Sequence, residues 1–275
     1  MERRVRGGTF VPSDAPHGSA VQAGPHKGAP THTMNTVLHK ASSRGHAHHG
    51  WLESYHTFSF AGYHDPERVH FGALRVLNDD TVAPGRGFGT HPHDNMEIIS
   101  IPLKGDLEHK DSMGNTQVIR KGDIQVMSAG TGIAHSEYNR NADIPVEFLQ
   151  IWLFPRERNV VPRYDQRTLD PAERENRFQQ VLGPDPNEAG VWVHQDAWFH
   201  LGKFDADRAA GYDLKRAGNG VYAFLLEGTA TIAGLRSERR DGLGITGVQR
   251  VEVTAGASGA EILLMEVPMW PPQNG

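Results

Sequence analysis

The sequence predicts an all-β protein built as two tandem β-barrels of the jelly-roll kind, and three observations predict it. Thirty-one glycines and 17 prolines stand against a hydrophobic fraction of 37% in 275 residues, the balance of a chain of short strands and many turns. Short apolar runs recur between turn signals from Phe71 to Phe154, and again from Val191 to Val267. The turn at Glu227-Gly228, followed by Thr229-Ala230-Thr231-Ile232, resembles a hairpin of the first half, as an internal duplication would produce.

Residues 1–33 are poor in large apolar side chains and rich in Gly, Ala, Pro and His, so burial cannot offset their ordering entropy and a disordered extension is expected. Residues 34–155 are assigned to the first barrel. Within them His56, Phe58 and Phe60 alternate with Tyr55, Thr57 and Ser59, which predicts a strand with one buried face. The neighbouring run His46-Ala47-His48-His49 lies in a glycine-flanked stretch with no apolar strand to aim it, and is read as a loop. Phe71–Leu77 predicts a strand ended by the turn residues Asn78-Asp79-Asp80. The GRGFG run at 85–89 lets the backbone approach a site, but no helix pattern or Walker lysine follows, so it is no phosphate loop. Leu107–Asp111 and Thr116–Ile119 flank the turn Ser112–Asn115 as a hairpin, and Val146–Phe154 is a long buried strand. Residues 156–190 are polar and proline-punctuated, a connection with one short helix starting at Asp170-Pro171. Residues 191–275 form the second barrel; its histidines, His194 and His200, have no paired motif and are read as core or surface residues without a metal site.

A net charge of −5 supplies no electrostatic case for a nucleic-acid surface. The absence of cysteine removes disulfides and thiolate metal sites and fits a cytoplasmic protein. No apolar leader or membrane-spanning run is legible, so no membrane association is expected.

The chemistry concentrates in two stretches, Thr90–Glu97 (THPHDNME) and Gly130–Glu137 (GTGIAHSE). Side chains alternate along a strand, so His91 and His93 share a face about 6.6 Å apart, as do His135 and Glu137. Two such strands crossing one barrel converge imidazole nitrogens and a carboxylate on one point, a donor set that suits Fe, Mn, Co, Ni, Cu or Zn. Three histidines and one carboxylate leave two positions of a six-coordinate ion open, as a dioxygenase, a Lewis-acid isomerase or a hydrolase each requires. Glu97 shares strand parity with His91 and His93 and competes with Glu137 as the carboxylate.

The pattern His-x-His-x-x-x-Glu followed by Gly-x-Gly-x-x-His resembles the two cupin motifs. The phrases GTHPHDNMEI, LEHKDSMGN, KGDIQVMSAGTGIAHSEYN and QIWLFP, with RGHAHHGWLESYHTFSF and FGALRVLNDD upstream, resemble the pirin family over about Met34–Pro268. That resemblance implies a bicupin whose second barrel usually keeps the fold without the metal. It implies His91, His93, His135 and Glu137 as ligands of one divalent metal, iron(II) first, with Zn, Mn, Ni, Co or Cu as alternatives, and leaves Glu97 a supporting or packing partner. Bacterial members resembling this chain imply quercetin 2,3-dioxygenase activity: an aromatic or enolic small molecule and O2 as partners, ring opening with loss of carbon monoxide, and Glu137 as the base for the flavonol hydroxyl. Some eukaryotic members imply an alternative, an iron-binding regulatory cofactor without turnover.

Overall fold

A computed structural model describes residues 33–270, so the predicted disordered extension, Thr33 apart, lies outside the described residues. In chain order the strands are β1 (Asn35–His39), β2 (Gly45–His48), β3 (Leu52–His56), β4 (Leu74–Val82), β5 (Gly87–His93), β6 (Glu97–Lys104) and β7 (Asp106–Asp111). Next come β8 (Thr116–Arg120), β9 (Asp123–Ser128), β10 (Ile133–Asn139), β11 (Val146–Leu153), β12 (Arg163–Thr168), β13 (Phe178–Gly183) and β14 (Val191–Trp192). The last are β15 (Trp198–Phe204), β16 (Ala209–Asp213), β17 (Asn219–Ile232), β18 (Leu235–Glu238), β19 (Gly242–Thr246) and β20 (Arg250–Pro268). Two single-turn 3₁₀ helices interrupt them, the second at Pro171–Arg174, where the Asp170 side chain accepts from the Ala172 N–H as an N-cap.

The first barrel packs a seven-stranded sheet, ordered β12-β9-β6-β11-β4-β3-β2, against a four-stranded one, β5-β10-β7-β8. The second barrel is one curled sheet whose main path runs β1-β19-β17-β20-β15-β13-β14. The seven-stranded sheet is buried on both faces, which is why β6 and β11 read as nearly unbroken apolar runs. Its outer face carries Leu77, Ile99, Ile101, Leu149 and Ile151 into a seam with Phe199, Leu201, Phe224, Leu263 and Met265 of the second barrel. Each such buried side chain contributes about 1.5–3 kcal/mol.

The inner face is different. His56 on β3, Asn78 on β4, Gln150 on β11, Ser100 on β6 and Gln125 on β9 pair successively across five neighbouring strands, and so form one continuous polar rung across the floor of the first barrel. The second barrel's interior is instead filled by aliphatic side chains, among them Val221, Leu225, Ile245, Val253 and Leu264.

Several expectations shift. Asn78-Asp79-Asp80 does not end a strand, because β4 continues to Val82: Asn78 and Asp80 are buried as polar lining, and Asp79 takes two arginines. The strand expected over 55–60 ends at His56, and Thr57 and Ser59 are as buried as Phe58, whose ring packs 5.4 Å from Tyr222 of the second barrel. The stretch read as a connection contains β12, which extends the first sheet beyond β9, and β13, which pairs with β15. The sequence of β12, RYDQRT, lacks apolar alternation because an edge strand leaves its side chains half-exposed. At the other end β1 pairs antiparallel with β19, so residues 35–39 complete the second barrel's sheet.

The seam also holds a charged clamp. Asp79 Oδ2 accepts from Arg240 Nε at 2.9 Å and from Arg44 Nη1 at 3.3 Å, and both guanidinium side chains are only 6% exposed. Arg44 further lies over the Tyr55 ring at 4.9 Å. Removing the shared carboxylate leaves buried Arg44 without a carboxylate and Arg240 with only the exposed Glu227 at 3.5 Å, so Asp79→Ala is expected to cost about 3–5 kcal/mol in urea unfolding. A loss below about 1 kcal/mol would show that the clamp is solvated and contributes little.

Candidate metal centre

The two motifs occupy neighbouring strands rather than strands that cross. β5 and β10 are antiparallel partners, with His91 directly opposite His135. The register then slips: Glu137 faces Phe88, so Gly89 and Thr90 together oppose the single residue Ser136, a bulge that brings both His91 and Phe88 to the inner side. Gly87 permits the close approach that follows, since a Cβ there would collide with the Glu137 carbonyl. The bulge also presents the Gly89 carbonyl to His91 Nδ1 at 2.8 Å.

Donor atoms of His91, His93 and His135 lie within 4.8 Å of one another. The hydrogen-bond partners assign their tautomers. Gly89 C=O can only accept, so His91 carries its proton on Nδ1 and turns an Nε2 lone pair inward. On the other side Asp111 accepts from the Met113 and Asn115 N–H groups and the Asn115 amide. Burial works against its charge, but bonds from Asn115 and His109 hold it below the usual carboxylate range. It therefore accepts from His109 Nε2–H at 3.1 Å, His109 Nδ1 accepts from His135 Nδ1–H at 3.4 Å, and His135 Nε2 is left as a lone pair. That lone pair faces the one on His91 across 3.1 Å. Two acceptors in opposition need a cation between them, and this is the observation on which the donor set fits a metal. Burial pushes His93 down to about 4 and His135 to about 2, which keeps these two rings neutral.

Glu137, also buried, groups with His135 and His109 rather than within the same limit of His91 and His93. Its Oε2 accepts from Gln150 Nε2 at 2.7 Å and its Oε1 from Ser100 Oγ at 3.1 Å, so two members of the polar rung hold it in place. Burial pushes its carboxyl up to about 7.

Glu97 is elsewhere. Strand parity does not carry past His93, because the chain turns at Asn95, whose φ is 47°, and β6 begins in the other sheet. Glu97 alternates with Ser100 and shares the seam face with Ile99 and Ile101, and its Oε2 accepts from Ser128 Oγ at 2.7 Å. Of the histidines at 46–49, His46 and His49 line the rim of the pocket above the donors, outside both donor groups found among the described residues. In the second barrel His200 is buried against Tyr212, ring centroids 4.7 Å apart, and His194 is half-buried. Reasoning from sequence missed His109 and Asp111; the alternation Leu107-x-His109-x-Asp111 on a predicted strand was the available signal.

A cavity of about 530 Å³ reaches the donor set at His91, with Glu137, Gln150, Asn78 and Asp80 on its floor and Phe60, Phe88 and Trp152 as walls. Trp152 stands edge-on to His93 at 5.0 Å and to Phe60 at 5.4 Å.

Comparison with known proteins bears on this arrangement. The pirin family model matches residues 37–153, and a model described as the quercetinase C-terminal cupin domain matches 180–267. The chain is 44% identical over 231 residues to a quercetin 2,3-dioxygenase of Escherichia coli, covering 84% of this chain and 98% of that one. The chain belongs to the pirin family. A pirin-like protein of Caulobacter vibrioides is 36% identical over 81% of this chain and 95% of its own. Among solved pirins, YhhW from Escherichia coli in complex with nickel(II) superimposes with a TM-score of 0.81 at 42% identity, covering 86% of this chain and all of that one. Both barrels are therefore cupins, and this pirin is a bicupin. None of its described helices is long and apolar enough to cross a membrane.

Two outcomes follow from the geometry. The His91→Ala/His93→Ala variant should retain almost no transition metal by elemental analysis, and the native chain should hold one ion; equal contents would remove the site. Burial pushes the Glu97 carboxyl up from its ordinary 4.5 to about 7. The folded state thus binds the extra proton between those values, and its stability falls as pH rises through them. Relative to Glu97→Gln, the native protein should lose about 3 kcal/mol of unfolding free energy between pH 4.5 and 7 and little more above. A pH-independent difference would contradict the burial.

Proposed function

We propose that this pirin is a metal-dependent dioxygenase of the quercetin 2,3-dioxygenase type, opening a flavonol ring with O2 and releasing carbon monoxide. The observation that carries the reading is a cluster of lone-pair donors that meets an aromatic-walled chamber through His91, with a buried carboxylate, Glu137, on the chamber floor. Its volume, about 530 Å³, is in the range that encloses a drug-sized ligand. The 44% identity to the Escherichia coli enzyme across nearly the whole of that chain supports the same activity.

In this reading His91, His93, His135 and Glu137 would hold the metal, and iron(II) is the proposed occupant of a set that also accepts Zn, Mn, Ni, Co or Cu. When bound, it would supply a Lewis acid that acidifies a chelating hydroxyl and an electron couple between an electron-rich ring and O2. The protein's own groups do the rest. Glu137, held by Gln150 and Ser100 at the chamber, takes the flavonol 3-hydroxyl proton. Gln150 stays on Oε2, while the Ser100 hydroxyl has a second acceptor in Gln150 Oε1 at 3.3 Å, so it can turn away as Glu137 Oε1 receives the proton. Phe60, Phe88 and Trp152 offer faces and edges to a planar substrate and keep water from the anion that forms. Asp111 and His109 hold His135 in the tautomer that faces the centre.

The test is anaerobic reconstitution with iron(II), then O2 uptake and carbon monoxide release over a flavonol panel. Glu137→Gln keeps the side chain's size but loses its basicity, and turnover should fall by about 10²–10⁴-fold, with some metal retained. Glu97→Gln, on the seam face, should cost less. Fully loaded native protein that consumes no O2 with any flavonol would defeat the enzyme reading and favour an iron-binding regulatory protein.

A further inference from the structure

The chamber floor extends beyond Glu137, and its far end is chemically incomplete. Along the polar rung, Gln150 and Ser100 spend their side chains on Glu137. The next two members toward β3 do not. Asn78 Oδ1 and His56 Nδ1 are buried and have no hydrogen-bond partner, although their residues are only 2% and 3% exposed. They are directly opposed across β3 and β4, and both line the cavity. Asp80, one inward position along β4, lines the same end and is engaged at Oδ1 by the Ser54 hydroxyl. A buried polar atom without a partner costs about 1–3 kcal/mol, and because both residues line the cavity, a ligand group that reaches this end meets two polar side chains whose hydrogen-bonding capacity is unspent.

Spacing says which part of the ligand arrives there. Neighbouring strands lie about 4.8 Å apart, so Asn78 is about one strand spacing and His56 about two from Gln150, the residue that holds Glu137. A planar molecule with its reacting hydroxyl at Glu137 therefore lays a second ring over Asn78 and His56. The surroundings of that ring are aromatic, with Phe60 5.3 Å from His56 and Tyr63 6.3 Å from it. The Asn78 amide and the His56 imidazole can each donate or accept, and a hydroxyl does both, so a hydroxyl is the group that can satisfy either of them in either role.

We propose that His56 and Asn78 form a recognition site for phenolic hydroxyls on the ring of the substrate that lies away from Glu137. This rests on reading the centre as that of a flavonol dioxygenase, and it makes the enzyme selective for flavonols hydroxylated on the pendant aryl ring. His56 and Asn78 position and select the substrate; the bond-breaking chemistry stays at Glu137 and the histidines.

The experiment uses three flavonols that share the 3,5,7-trihydroxy core and carry none, one (4′) or two (3′,4′) hydroxyls on the pendant ring. Binding to the nickel(II)-loaded protein is measured by tryptophan fluorescence under anaerobic conditions, and kcat/KM on the iron(II)-loaded protein. Native protein is expected to bind the dihydroxylated compound at least tenfold more tightly than the unsubstituted one. Asn78→Leu and His56→Phe should each bring that ratio toward one at unchanged metal content. A native ratio near one, no binding of any of the three, or a variant that weakens all three equally overturns the proposal. If a variant fails to fold, the native series alone decides. Preferential binding without O2 consumption would leave the recognition site standing and defeat the dioxygenase reading, whereas turnover of all three without preference would do the reverse.

Discussion

The structure depends on one sheet being buried on both faces. The seven-stranded sheet of the first barrel turns an aliphatic face to the second barrel and a polar face to its own interior, and strict alternation keeps the two apart: Ile99 and Ile101 point one way, Ser100 the other. Without the second barrel that aliphatic face would meet water. The C-terminal barrel, its interior packed with aliphatic side chains, is thus the support that lets the N-terminal barrel give up much of its own apolar core. The Arg44–Asp79–Arg240 clamp lies along the same seam and contributes geometric specificity to a contact otherwise made of interchangeable hydrophobes.

A polar interior is expensive, and the cost is visible in the titrating groups. Burial raises the carboxyls of Asp80, Glu97 and Glu137 to about 7 and lowers those histidines of the centre that are most enclosed. The two effects have one origin, the poor solvation of charge, which favours the neutral form of acid and base alike. What fixes the direction of each lone pair is a set of acceptors outside the cluster, the Gly89 carbonyl on one side and Asp111 through His109 on the other. The bulge in β5 is therefore as much a part of the centre as the histidines, since it supplies both the carbonyl and the inward turn of Phe88.

The rung from His56 to Gln125 gives this interior its layout. Its middle, Gln150 and Ser100, grips the Glu137 carboxylate, and its flank toward β3 lines the chamber, so in the proposed function catalysis and recognition would be adjacent segments of one row of side chains. Aromatic groups above the row leave a flat space between them and the floor. A site on rigid strands has little freedom to adapt, and in the proposed function selectivity would come from which polar atoms the substrate can satisfy.

Much of this was legible in the sequence, because local rules govern it. Two-residue periodicity paired His91 with His93 and His135 with Glu137, glycine and proline marked the turns, and the phrases around GTHPHDNMEI and GTGIAHSEYN pointed to the family. Tertiary structure decided what depends on contacts between strands far apart in the chain. It placed β5 beside β10, sent Glu97 to the seam because the chain changes sheets at Asn95, kept Asn78-Asp79-Asp80 inside a strand, and drew His109 and Asp111 to the centre. Residue types that signal turns when solvated become strand interior once a cavity, an ion pair or a buried histidine stands opposite them, and that partner is supplied only by the fold.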